Sequence, residues 1–143
     1  MSMIDAPPKA AVAHMHRIEA AGGPTASRMR DDLGAWLSGI PVSATQRADI
    51  LLGVYEALAN AAEHAYRHRA TPGTIAMQAS YDPRAQSISV RVGDRGKWKM
   101  ASINSADRSR GRGIALMYAS SDRCSIDRDR DGTMVRLGYD LRV

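Results

Sequence analysis

The apolar positions of this chain recur with two different periods, and the change from one to the other divides it into elements. From Ala44 to about Arg69 the period is helical. Leu51, Val54, Tyr55, Leu58, Ala62 and Ala65 form one stripe at 3.6 residues per turn, and Glu56, Asn60, Glu63 and Arg67 fall on the opposite side. Ser43 followed by Gln46 has the spacing of a capping box and sets the start of this helix, while Thr71, Pro72 and Gly73 stop it. A shorter helix is predicted upstream, capped by Thr25, with Met29, Leu33, Trp36, Leu37 and Ile40 on its inner side and Gly39 and Pro41 at its end. Past the long helix the period falls to two. Ile75, Met77, Ala79 and Tyr81 alternate, Asp82-Pro83-Arg84 turns the chain, and Ile88, Val90 and Val92 alternate again, which describes a hairpin. Cys124 and Ile126, a charged turn from Asp129 to Gly132, and the run from Met134 to Tyr139 make a second hairpin.

Two further segments complete the order. Residues 10–20 alternate around Val12, His14, His16 and Ile18 and read as a first strand; His14 and His16 share a strand face, and with no ligand cluster beside them they are expected to face solvent. Gly93 to Arg110 has no clear period and reads as a loop, followed by a short apolar helix from Gly111 to about Ser120. Helices segregated from hairpins predict an α+β two-layer sandwich, a mixed, mostly antiparallel sheet with about three helices on one face and the other face open. Residues 1–9, with Pro7 and Pro8, are expected to be a flexible lead-in and residues 10–143 a single domain.

Composition narrows the setting. At 143 residues, a chain with 44% hydrophobic and 24% charged residues is ordinary for a globular protein, and Leu, Ile, Val and eight Met compensate for the absence of Phe. No apolar run approaches the ~20 residues of a membrane span, and the N-terminal residues lack a signal-like apolar segment, so a cytoplasmic protein with no membrane partner is expected. The lone Cys124 sits in an alternating apolar segment and is expected to be a reduced, packed thiol. The formal net charge is +5. Six basic residues against two acidic ones lie between Asp94 and Arg112, so most of the excess sits in one loop. That distribution suits a small polyanion such as a nucleotide triphosphate at least as well as a nucleic-acid duplex, and direct nucleic-acid binding is the disfavoured reading.

Four short stretches could carry chemistry. Glu56 and Asn60 are four residues apart on a helix and share its face. Asp94-Arg95-Gly96 ends a strand, where a carboxylate could accept a hydrogen bond from an exocyclic amine and a glycine lets a flat ring approach. Gly111-Arg112-Gly113 precedes a helix, and exposed backbone N–H groups there would seat a phosphate. Gly132-Thr133 precedes the last strand. Singly, each is more often a turn or a solvated helix face. No P-loop or dinucleotide fingerprint is present, since Leu116 stands where a third glycine would be.

Taken in order, these four pieces resemble the nucleotide-binding boxes of the histidine-kinase-like ATPase fold, shared by gyrase, histidine kinases and mismatch-repair ATPases. Within that fold the chain is most similar to bacterial anti-sigma-factor serine kinases, through EALANAAEHAY in the long helix and through RGRGIALMYASSD and DGTMVRL in the C-terminal third. The resemblance implies ATP and Mg²⁺ as cofactors. It implies Glu56 as the general base, Asn60 as the Mg²⁺ ligand, and Asp94 reading the adenine amino group with Gly96 giving the ring room. It also implies a lid between Asp94 and Gly111 with Arg110, or in reserve Arg108, at the γ-phosphate; Gly111, Arg112 and Gly113 at the phosphates; and Thr133 near adenine. The implied function is sequestering a sigma factor and phosphorylating a serine of an anti-anti-sigma partner, with a homodimer typical of the branch and Arg28 and Arg30 as a partner surface. The alternative is a non-catalytic, ATP-dependent binding module.

Overall fold

The chain runs β1 (Ala13–Ala20), α1 (Thr25–Leu37), α2 (Ala44–Tyr66), β2 (Thr74–Asp82), β3 (Ser87–Asp94), α3 (Arg108–Ser120), β4 (Arg123–Arg128) and β5 (Thr133–Asp140), the predicted order. The structure, a computed structural model, describes residues 13–66, 73–94, 108–128 and 132–142, with the backbone alone for 64–66 and 108–111. The expected lead-in at 1–9 and most of the expected lid therefore lie outside the described residues.

The strands form one sheet in the order β1-β2-β3-β5-β4. Every described pairing is antiparallel, so the mixed sheet anticipated from the sequence is replaced by a uniform one. The inner face is set by period-two apolar residues: Ile75, Met77 and Ala79 on β2, Ile88, Val90 and Val92 on β3, and Val135, Leu137 and Tyr139 on β5 are all buried. The helices pack on that face, making an α+β two-layer sandwich.

β1 turns His14 and His16 to the open face, as expected of them. Met15 is its buried residue, whereas His14, His16 and Ile18 lie on the open face, with Ile18 61% exposed. The inner face of β1 takes polar residues because α1 supplies partners: Arg28 donates to Glu19 at 2.6 Å, and Arg17 lies 3.4 Å from Asp32. Thr25 is the first residue of α1 and not its cap; Pro24 occupies the cap position, and the Thr25 hydroxyl donates back to Ala20 O at 2.8 Å, joining α1 to the end of β1.

The central helix α2 is covered on more than one side. Ile50, Val54, Ala57, Leu58 and Ala61 are at most 1% exposed, while Leu51, Tyr55 and Ala62 of the predicted stripe are only partly buried. The stripe is rotated because α1 and α3 flank α2 as well as the sheet beneath it. Half of the capping box forms: the Gln46 N–H donates to Ser43 Oγ at 3.1 Å. The Gln46 side chain turns instead to the chain's last strand, where Nε2 donates to Asp140 O at 2.7 Å and Oε1 accepts from the Arg142 N–H at 2.9 Å. No helix among the described residues is long and apolar enough to cross a membrane.

Candidate nucleotide-binding site

Glu56 and Asn60 project from α2 toward α3, where a glycine receives them. A Cβ on Gly113 would lie 3.0 Å from Glu56 Oε1, 3.6 Å from Asn60 Nδ2 and 3.9 Å from Asn60 Oδ1. The missing side chain is thus what lets α3 lie close over both groups. Asn60 is 8% exposed and Glu56 half-buried. A buried amide in mid-helix competes poorly on helix propensity, so its place is set by what it faces.

The second part of the site is made by neighbouring strand ends. Asp94 closes β3 and Thr133 opens β5, and they are direct cross-strand partners. Both fall on the inner face by strand parity, and they are 8% and 4% exposed. The Thr133 hydroxyl is buried with no hydrogen-bond partner among the described residues. Leaving a buried hydroxyl unpaired costs about 1–3 kcal/mol, so the position is suited to an incoming polar ligand. α2 packs across β3 and α3 along α2, which puts both parts between the sheet and the helices, while the groove lined by Asp94 and Thr133 does not itself include Glu56, Asn60 or Gly113.

The other predicted positions fall as follows. α3 begins at Arg108, a turn earlier than expected, so Gly111, Arg112 and Gly113 lie inside its first two turns and not ahead of it. Gly113 is therefore a contact point between helices, and Arg112 is exposed. Arg110 and Arg108 stand in the first turn of α3, with only their backbone described, as for Gly111. Gly96 lies outside the described residues. Arg28 and Arg30, the suggested partner surface, are engaged within the chain: Arg28 with Glu19, and Arg30 with Asp31 and over the Tyr55 ring at 5.0 Å. Sequence reasoning overlooked Gly53. Its Cβ would run into Ser120 Oγ and come within 3.2 Å of Tyr139 Oη, so it admits the far end of α3. A glycine costing about 1 kcal/mol in mid-helix was the available signal.

Among the described residues no group of three or more His, Cys, Asp or Glu could hold a metal ion. The Gly113 recess beside Glu56 and Asn60 and the unpaired Thr133 hydroxyl beside Asp94 fit a nucleotide with its phosphates toward the helices and its base toward the strand ends.

This arrangement of a helix-borne Glu and Asn over an antiparallel sheet defines a class. Residues 20–139 match the histidine kinase-like ATPase domain, and the chain belongs to that family. One similar solved structure contains the RsbU and RsbW domains of Rv1364c from Mycobacterium tuberculosis, with 26% identity and a TM-score of 0.72 over 90% of this chain. This chain spans 32% of that one. The likeness agrees with the anti-sigma-factor serine kinase-like branch that the signature segments resemble, and ATP binding follows from the family.

Proposed function

We propose that the protein is an ATP-dependent anti-sigma factor and protein serine kinase, which sequesters a sigma factor and phosphorylates a serine of an anti-anti-sigma partner. The observation that carries the reading is the recess at Gly113 over Glu56 and Asn60. Asp94 and Thr133 would bind the adenine end, with Gly96 leaving room for the ring. Asn60 would hold Mg²⁺. Gly111, Arg112 and Gly113 would border the phosphates, and Arg110 would neutralise charge at the γ-phosphate. ATP supplies the γ-phosphoryl group. Glu56 takes the proton of the partner's serine hydroxyl as its oxygen bonds to phosphorus, and the β,γ-bridging bond breaks to leave ADP. Phosphorylation adds roughly −1.5 to −2 charge to the partner surface, which would weaken its grip on this protein. A homodimer belongs to the same reading.

The test is Glu56→Ala, assayed for phosphoryl transfer from radiolabelled ATP to the partner and, in parallel, for Mg-ATP affinity by calorimetry. Transfer should fall by roughly 10²–10⁴-fold with affinity retained, the loss expected when a general base is removed. Unchanged transfer would exclude Glu56 as the base. No transfer in the parent, with Mg-ATP still bound, would favour the non-catalytic binding module.

A further inference from the structure

A second polar cavity lies at the end of α3 remote from Gly113. It measures about 170 Å³ and is bordered by Gln46 and Asp49 in the first turns of α2, by Ser120 and Ser121 at the end of α3, and by Asp122 and Arg142. Tyr139 reaches it from the inner face of β5. This tyrosine is 3% exposed, and its hydroxyl is buried without a hydrogen-bond partner among the described residues. Tyr139 Oη and Ser120 Oγ both approach the point above Gly53 that a side chain would occupy, so two hydroxyl oxygens meet there.

The remaining polar groups are mostly engaged. Both ends of the Gln46 amide are used by the chain's last residues. Asp122 accepts from the Asp140 N–H at 2.7 Å and from Arg142 at 2.8 Å. The Ser121 hydroxyl donates to Met117 O at 2.7 Å and the Ser120 hydroxyl to the same oxygen at 3.4 Å, which leaves the Ser120 oxygen its acceptor lone pairs. Asp49 makes no hydrogen bond or ion pair among the described residues. What remains is one carboxylate, two hydroxyl oxygens and the carbonyl end of a helix, where partial negative charge collects. Arg142, the one basic side chain among the described lining residues, is held by Asp122.

This set consists of oxygen atoms and is net negative, so it disfavours an anion. Burial first, then the nearby Cys124, Asp49 and Asp122, push the Tyr139 phenol well above its ordinary range, so it stays neutral. A divalent ion held by protein generally takes more than one carboxylate, and Asp49 alone is available. At ~30 Å³ per water the cavity holds about six water-sized groups, room for one ion with some of its waters and too little for a nucleotide.

We propose that this cavity is a monovalent-cation site of potassium type, with Tyr139 Oη, Ser120 Oγ and the Asp49 carboxylate as its ligands. The ion would tie the start of α2 to the end of α3, the two helices that bear Glu56, Asn60 and Gly113. The proposal does not depend on the nucleotide reading, because its test uses nucleotide-free protein.

Thermal unfolding is followed in KCl and in choline chloride at equal ionic strength. The midpoint should rise saturably with K⁺, by about 4 °C at roughly ten times the dissociation constant. The increment should vanish in Tyr139→Phe and in Asp49→Asn, the latter an exposed position whose variant should fold. A ²⁰⁵Tl resonance shifted by the parent protein, displaced by K⁺ and unshifted by either variant, is the direct readout. A parent midpoint equal in the two salts overturns the proposal, as does a K⁺ increment that survives in either variant. Tyr139→Phe also removes a hydroxyl that is costly to bury unpaired. A variant more stable than the parent in both salts means the hydroxyl has no ligand, and that too overturns the site.

Discussion

Gly113 and Asn60 show how one residue can matter through what it lacks or what it faces. Gly113→Ala should gain up to about 1 kcal/mol of helix propensity. Its methyl would meet Glu56 Oε1, the free end of a flexible side chain that can swing aside. The expected result is a denaturation midpoint close to the parent's with phosphoryl transfer reduced by about 100-fold, the scale on which displaced catalytic groups lose rate; transfer at the parent's rate would show that the recess does not position Glu56. Asparagine is a mediocre mid-helix residue, and Asn60 lies buried beside Gly113 instead of on a solvated face. Thr25 misled because a threonine before an apolar stripe has the look of a cap, while here Ala20 O claims its hydroxyl. Cys124 is half-buried, and burial pushes its thiol up, so less thiolate is present at neutral pH. Alkylation at pH 7.5 should be slower in the native protein than in urea, followed by mass spectrometry.

At the level of elements, periodicity located every helix and strand among the described residues, and the misses have physical causes. The α2 stripe was rotated because a single-sided template was applied to a helix flanked by two others. The start of α3 was placed late because Arg108-Ser109-Arg110 carries no apolar signal. On β1 the exposure of His14 and His16 was legible, whereas the place of Arg17 and Glu19 on the helix side was not, because it depends on ion-pair partners on α1. The Gln46 clamp was not legible, since its partners stand more than ninety positions away. Gln46→Ala removes two side-chain bonds to backbone groups and should destabilise the protein by about 1–3 kcal/mol, read from urea denaturation at an unchanged m value. Gly53→Ala should lower stability by about 1–2 kcal/mol despite better propensity, because Ser120 and Tyr139 must give way. An equally stable Gly53→Ala would mean that α3 slides without cost.

For the whole molecule, the register aligns Ile18, Ala76, Gly93 and Met134 across four strands of the open face. This apolar row borders a groove of about 560 Å³. If the homodimer of the proposed function uses this face, Ile18→Lys should shift sedimentation equilibrium toward the monomer with little change in the unfolding midpoint; an unchanged association constant would direct attention to another surface. The architecture was legible because two periods and four ordered boxes agree, whereas strand order was not, because period-two patterns do not say which strands are neighbours.

That strand order bears on how the protein is made. β5 follows β4 in the chain, yet it lies between β3 and β4, and it carries Thr133 to the side of Asp94. A nascent chain that has reached β4 therefore still has the open edge of β3, an invitation to intermolecular pairing. In the proposed function ATP then cannot rescue the partial fold until the final hairpin has left the ribosome, because Thr133, the proposed partner of Asp94 at the adenine, lies on it.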